Sequence, residues 1–302
     1  MSVSHQTACV VLNWRNTEAT VKCISSILEG DVKPKYIYVV DNHSMNNANL
    51  EIGACLEQTY PQFEENFGCQ FIWVDTLRNL GYAGGNNVAL VQAMQIPEVE
   101  YLWILNNDTQ VAGRSLEAML ELAGTCSDVG FVGGRVKAEL AGSEEYSGGG
   151  RVYPRLGLTR RVKSVASEHE YQGIDYVVGC NMLIKCSMAR KVGLMDESYF
   201  MYSEEVDWQL EAKKRGWRAG IALDCVVSHG DGLPSASYYY YKNRAAILLA
   251  RKCGGVGWAL LSFFVHLVIV LVDKPSPRGV WKAYKGCLDG VLGVTGFSSN
   301  AR

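Results

Sequence analysis

The sequence predicts an α/β chain built on a Rossmann-like, mostly parallel central sheet flanked by helices, with a C-terminal helical extension. Two observations predict the sheet: short apolar runs alternate with segments of helical periodicity, and each run stops at polar residues. A third predicts the extension, because from "SYYYYKNRAAILLARK" onward the chain is helical throughout and includes the uncharged run "GGVGWALLSFFVHLVIVLV".

In order, "TACVVLN", "YIYVV", "CQFIWVD" and "YLWIL" read as strands, while "TEATVKCISSIL", "NANLEIGACLEQ", "GNNVALVQAM" and "RSLEAMLELAG" read as helices. Such a βαβαβαβα alternation implies right-handed crossovers and a nucleotide-binding half. Beyond "VGFVGGRV" the segment 140–169 is rich in Gly, Ser and charge and reads as a hairpin plus an exposed loop. The pattern resumes with a strand "DYVVGCNMLIK", helices "SMARKVG" and "EEVDWQLEAKKRG", and a strand "RAGIALDCVVSH". The expected division is a catalytic domain over 1–235, with a nucleotide-binding half 1–135 and an acceptor-side half 136–235, and a helical segment 236–302.

The chain has 302 residues with 48% hydrophobic and 20% charged content, enough to bury a large core. A formal net charge of -2 argues against nucleic acid as a partner. The charge is uneven, since seven Lys/Arg stand against two Asp from Arg251 onward, a basic tail on an acidic body. The ten cysteines are scattered singly with no C-x-x-C pair, as in a reduced cytosolic protein. "MSVSHQTACVVLNW" lacks the basic and apolar regions of a signal peptide, so a cytoplasmic body is expected.

Ligands of open α/β sheets bind at the carboxyl ends of the strands. Polar residues gather there: Asn13, Trp14, Arg15 and Asn16 after the first strand, Asp41 and Asn42 after the second, Arg78 and Asn79 after the third, and Asn106, Asn107 and Asp108 after the fourth. Asn-Asn-Asp is also ordinary turn chemistry, and Asp41 in "DNHS" reads equally as an Asx turn or as a contact to a base or ribose. "RNLGYAGGNN" places Gly81, Gly84 and Gly85, with Asn86, before a helix whose amides can approach a diphosphate, or else forms a loop that needs positive φ. It is neither a dinucleotide fingerprint nor a Walker loop. In "FMYSEEVDWQL" the crowded Glu204, Glu205 and Asp207 suit a helix start, and their mutual repulsion suggests that one faces a substrate or metal. His229 ends a strand as a metal ligand or a turn residue.

The ordered set "VVLNWRN", "VVDNHS", "RNLGYAGGNN", "LNNDT", "VVGCNMLI" and "GLMDESYFMYSEEVDWQLEAKKRGW" resembles the inverting family 2 glycosyltransferases of GT-A fold, in particular the bacterial rhamnosyltransferase-like branch, over about residues 7–250. The resemblance implies transfer of a sugar, such as rhamnose from dTDP-rhamnose or a hexose from UDP, to a lipid-linked or polysaccharide acceptor. It implies that "NND" stands at the family's D-x-D motif, with Asp108 holding Mg²⁺ or Mn²⁺ on the donor diphosphate; His229 is counted beside it as a candidate ligand. It makes Glu205 the general base, with Glu204 the alternative and Asp207 orienting the helix start or an acceptor hydroxyl. Asn13, Trp14, Asn16, Asp41, Asn42, Arg78, Asn79, Gly81, Gly84, Asn86, Asn106, Asn107 and Gly179 become the expected donor-binding set. Basic residues of the 142–169 loop are expected to meet acceptor phosphates or to form a solvated face. The run from Gly254 to Val272, with basic flanks on both sides, is expected to lie on the cytoplasmic leaflet of the bacterial inner membrane or to bury itself in a homodimer interface. A non-catalytic partner subunit of the same fold is the competing class.

Overall fold

The computed structural model describes residues 6–44, 47–140, 143–163, 174–230, 235–273 and 275–301. Strands β1 (Thr7–Asn13), β2 (Tyr36–Asp41), β3 (Gln70–Asp75) and β4 (Tyr101–Asn106) pair in parallel in the order β3-β2-β1-β4. Between them run α1 (Thr17–Leu28), α2 (Ala48–Thr59), the short α3 (Phe63–Phe67) and α4 (Gly81–Ala93). The sheet continues β4-β10-β6-β11-β5, formed by β5 (Thr109–Val111), β6 (Val129–Leu140), β10 (Asn181–Lys185) and β11 (Arg218–His229). In this half β10 is antiparallel to both neighbours and β11 lies parallel to β6. Strands β7 (Ser143–Tyr153), β8 (Leu158–Lys163) and β9 (Tyr176–Val177) branch from β6, while α5 (Ser115–Thr125), α6 (Cys186–Val192) and α7 (Glu204–Lys214) complete the layers.

Successive strand side chains point to opposite faces, and here both faces are covered. Cys9, Val11, Ile37, Val39, Trp103 and Leu105 face one core with residues of α1, α2 and α5. Ala8, Val10, Tyr38, Val40, Leu102 and Ile104 face the other, with α4, α6 and α7. Trp103, buried between layers, satisfies its indole N–H on Asn181 Oδ1 at 2.8 Å. The ten cysteines are free thiols.

Three local expectations need correction. Helix α4 starts at Gly81 rather than after the glycines, so Gly84 and Gly85 lie inside it; a Cβ at Gly85 would meet Leu12 Cδ1 at 2.6 Å and push that side chain aside, so the glycine lets α4 pack close on β1. "DYVVGCNMLIK" is two strands, β9 and β10, separated by a turn at Gly179 and Cys180. The three-residue β5 is too short for periodicity to reveal and exists because β11 pairs with it. The hairpin expected within 140–169 is β7–β8, while the exposed loop expected after it falls largely on 164–173, outside the described residues.

The C-terminal segment forms α8 (Ala236–Gly254), α9 (Val256–Asp273) and α10 (Pro277–Leu292). Helix α10 packs tightly on α8, where a Cβ at Gly286 would lie 2.2 Å from Tyr240 O. Helix α8 in turn holds the body: buried Arg244 donates to Tyr199 O at 2.8 Å, and Lys252 pairs with Asp207 at 2.6 Å and Asp196 at 3.0 Å. Tyr240 and Tyr241 are buried, as expected for rings of a core-facing helix.

Candidate active site

At the ends of β1 and β2 a buried polar network fixes the sheet edge. Asn13 donates to Asp41 Oδ1 at 2.9 Å and accepts from Thr20 Oγ1 at 2.9 Å, and Asp41 Oδ2 accepts the Ser44 N–H, three residues on, at 2.9 Å. Asn42 donates to Gly81 O and Asn79 Oδ1 and accepts from Leu80 N–H at 2.9 Å, while Asn79 Oδ1 also accepts from Gly81 N–H at 2.8 Å. Asp41 is 4% exposed and Asn42 3% exposed, and both brace the sheet edge through these hydrogen bonds. Asn86 is fully buried and donates to Tyr82 O at 2.9 Å, and Gly84 packs against Leu80 and Glu197. The exposed members are Trp14, with the Arg15 guanidinium 5.2 Å from its ring, Asn16, which caps α1 by accepting from Ala19 N–H, and Arg78.

One step along the edge, β4 ends in the turn Asn106–Asn107–Asp108. Asn107 ties this turn to the first network by donating to Thr20 Oγ1 at 3.0 Å. Antiparallel pairing of β5 with β11 brings His229 opposite Thr109 and sets its Nε2 3.2 Å from Asp108 Oδ1 and 3.1 Å from Asn106 Nδ2. One ring nitrogen carries either a proton or a lone pair, so it cannot donate to the carboxylate and accept from the amide together. Asp108 Oδ1 and His229 Nε2, a carboxylate oxygen and an imidazole nitrogen side by side, would together suit a divalent cation. Asp108 and His229 are partly open to solvent, and the buried Asn106 Oδ1 has no hydrogen-bond partner. Among the described residues no three His, Cys, Asp or Glu side chains gather to hold an ion. The two donors therefore fit a cation whose remaining ligands are diphosphate oxygens and water.

The acidic helix start divides by face. Glu204 is 3% exposed, its Oε2 has no partner, and burial together with the Glu205 charge pushes its pKa well above the ordinary value. Glu205 is half-buried; burial raises its pKa, while the helix-start N–H groups and the Arg161 guanidinium pull it back. Asp207, 2% exposed, turns to Lys252 and tethers α7 to α8. Beside Glu205 stands Tyr82, whose hydroxyl donates to Gly179 O at 2.7 Å and whose pKa is raised by burial and then by Glu205, Glu204, Cys180 and Asp108. Gly179 is a spacer: a Cβ there would lie 3.1 Å from Tyr82 Oη and 3.3 Å from Glu205 Cγ. The structure thus gathers Asn106, Asn107, Asp108, His229, Gly179 and Glu205. Sequence reasoning missed Tyr82 and Cys180, although the tyrosine sits inside the glycine-rich segment it had singled out.

The raised Glu204 carboxyl has a measurable consequence. The unfolded chain releases this proton near the ordinary glutamate value and the folded chain only at higher pH, so above about pH 4.5 the unfolded state binds fewer protons and stability falls as pH rises toward the folded pKa. Glu204→Gln is expected to remove that loss, by about 1.4 kcal/mol per pH unit inside the window. Denaturant titrations of both proteins from acid to neutral pH check it; a stability difference that does not grow with pH contradicts the reading.

A parallel half-sheet closed by a mixed half, with an acid and a histidine at its carboxyl edge and a carboxylate on the following helix, defines the GT-A glycosyltransferase class. The family model for glycosyl transferase family 2 matches residues 9–193, and the chain belongs to that family. The low-salt glycan biosynthesis hexosyltransferase Agl10 of Haloferax volcanii is 23% identical over 238 residues, 74% of this chain and 76% of that protein. The N-acetylglucosaminyl-diphospho-decaprenol L-rhamnosyltransferase of Mycobacterium tuberculosis is 25% identical over 241 residues, 69% of this chain and 78% of its own. Among solved structures, the mannosyltransferase PcManGT of Pyrobaculum calidifontis, in complex with GDP-Man and Mn²⁺, aligns with a TM-score of 0.57 at 12% identity, covering 95% of this chain and 86% of that one. At that identity the likeness shows the fold alone.

Proposed function

We propose that the protein is an inverting, metal-dependent glycosyltransferase that moves a sugar, L-rhamnose from dTDP-rhamnose in the leading reading, to a lipid-linked glycan acceptor of cell-surface polysaccharide synthesis. The observation that carries the reading is the 3.2 Å approach of Asp108 and His229, next to the Gly179–Cys180 turn on which Glu205 packs. Asp108 and His229 hold Mg²⁺ or Mn²⁺; when bound, the cation offsets charge on the departing diphosphate. Glu205 accepts the proton of the acceptor hydroxyl as that oxygen bonds to the anomeric carbon and the bond from carbon to diphosphate oxygen breaks on the opposite face. Burial suits Glu205 to this, since a raised carboxyl works closer to neutral pH. Trp14, Asn16 and Arg78 are the exposed groups available to the nucleotide, and Arg161, near enough to Glu205 to lower its pKa, meets an acceptor phosphate. The mycobacterial relative's name supports rhamnose and a lipid diphosphate. The haloarchaeal hexosyltransferase keeps a UDP-hexose as second reading. Incubating the protein with dTDP-L-rhamnose or UDP-hexoses, Mn²⁺ and an N-acetylglucosaminyl-diphospho-lipid tests both; release of nucleotide from UDP-hexose alone selects the second.

The acceptor reading extends to the C-terminal helices. Helix α9 has a mean hydropathy of 2.2 over 18 residues, enough by length and composition to cross a membrane. One stripe of it, Ala259, Ser262, His266 and Val270, is buried, and Ser262 donates to Leu156 O at 2.8 Å. A helix held along one stripe lies against the body, and its outer face presents Phe264, Val268 and Leu271 beside the stacked Trp281 and Tyr284 of α10. With Arg278 and Lys285 on α10, this surface suits the interface of an anionic leaflet, on the cytoplasmic side of a bacterial membrane. The protein is expected to sediment with phosphatidylglycerol vesicles more than with phosphatidylcholine ones, and Phe264→Ser/Leu271→Ser to lose most of that binding. Equal recovery of both proteins, or a wild-type dimer that the double variant dissolves, assigns the face to self-association instead.

A further inference from the structure

The segment "RNLGYAGGNN" binds another part of this chain. Helix α4 opens at Gly81, where φ is 75° and a Cβ would lie 2.1 Å from Phe200 O, so only glycine lets the helix start abut that carbonyl. In that contact Tyr82 N–H donates to Phe200 O at 2.7 Å. Farther along the helix Asn87 Nδ2 donates to Met195 O at 2.9 Å and to Glu197 Oε1 at 3.0 Å. The Tyr82 hydroxyl reaches the other way, to Gly179 O. One helix therefore grips both segments beside Glu205: the run 195–203 that leads into α7, and the turn on which the Glu205 side chain rests.

The run 195–203 needs to be held. Phe200, Tyr202 and Ser203 have φ of 68°, 69° and 65°, left-handed conformations that residues with a Cβ adopt only where their surroundings over-determine them. They immediately precede Glu204 and Glu205, so their conformation sets the direction in which α7 starts. Arg244 supplies a second hold, on Tyr199 O, from α8.

We propose that Gly81, Tyr82 and Asn87 form a clamp that aims Glu205, and that Tyr82 is a positioning residue for acceptor deprotonation rather than a ligand of the donor. The proposal rests on Glu205 as the base. The groups facing Glu205 are Arg161 of β8, Tyr176 of β9, Tyr82 of α4, Cys180 in the turn, and Glu204 and Tyr202 beside it in the chain. Of these, Tyr82 is the one that also pins the neighbouring turn. Removing its hydroxyl frees Gly179 O to take water, and water beside the carboxyl returns Glu205 toward the proton affinity of an exposed glutamate.

The test uses Tyr82→Phe in the full chain, with Gly81→Ala as a second variant. Single-turnover transfer across pH is read with whichever of dTDP-L-rhamnose and UDP-hexose the wild type uses; dTDP and UDP affinity in Mn²⁺ and amide exchange over 198–206 are read separately. Expected for Tyr82→Phe are a transfer rate lower by roughly tenfold to a hundredfold, the scale of a small misplacement, an acid limb moved to lower pH, faster exchange in 198–206 and unchanged nucleotide affinity. Gly81→Ala is expected to lose more. An unaltered rate and acid limb in folded Tyr82→Phe overturns the proposal, as does nucleotide affinity that falls in step with the rate, which makes Tyr82 a donor ligand. A Glu205→Gln variant that keeps its turnover removes the base assignment, while the exchange measurement still reports whether the clamp holds the run.

Discussion

Glu205→Gln is expected to reduce single-turnover transfer by on the order of a hundredfold to ten-thousandfold, the usual range for a lost general base, while nucleotide affinity stays within about twofold. The amide is nearly isosteric and keeps the helix-start hydrogen bonds, yet it cannot take the acceptor's proton. Crowding of Glu204, Glu205 and Asp207 left the base ambiguous between the first two in the sequence, and geometry favours Glu205. Glu204 points into the protein with its Oε2 unpartnered, and Asp207 is occupied by Lys252. Glu205 rests on the Gly179 turn between Arg161 and Tyr82. Glu204→Gln should therefore lose far less activity. Measuring nucleotide affinity separately keeps lost binding from being mistaken for lost chemistry. A Glu205→Gln enzyme with near-normal turnover beside an inactive Glu204→Gln would move the role to Glu204.

Asp108→Asn is expected to abolish the Mn²⁺ dependence of nucleoside diphosphate binding. The two protein donors of the proposed site are one carboxylate and one imidazole, so the variant removes its only protein charge. Outer-shell losses around metals already cost about tenfold to a hundredfold in affinity, and loss of a direct acidic ligand should cost at least that. The fold should survive, because Asp108 is partly exposed and an asparagine keeps the hydrogen bonds of the turn. His229→Ala should give a smaller loss in the same direction. Titration of dTDP and UDP into both variants with and without Mn²⁺ checks this, and an unaltered metal effect in Asp108→Asn would remove the cation from that corner.

Much of the architecture was legible because its signals are local. Strands β1, β2 and β4 are short apolar runs buried on both faces, and Asn16 marks the start of α1 by capping it. What escaped depends on partners distant in sequence. The glycines at 81, 84 and 85 read as a helix start open to a diphosphate or as a loop, and their close approach to Phe200, Glu197 and Leu12 is contained in no local pattern. Asp108 and His229 were each recognisable at strand ends, but their meeting requires β5 to pair with β11 across more than a hundred residues. Asp41, Asn42 and Asn86 show the opposite limit. Their polarity was plain in the sequence, but the hydrogen bonds that hold them inside the chain were not. Tyr82 was passed over because an aromatic among glycines reads as packing until its hydroxyl is seen on Gly179 O, beside Glu205.

The most direct measurement of the central claim is the anomeric configuration of the product formed by the wild-type protein from dTDP-L-rhamnose or a UDP-hexose, Mn²⁺ and an N-acetylglucosaminyl-diphospho-lipid, read by NMR. Direct attack by a hydroxyl activated at Glu205 predicts a new glycosidic bond of inverted configuration, formed only with the cation present. A product of retained configuration, or transfer at full rate in the presence of a chelator, would contradict it.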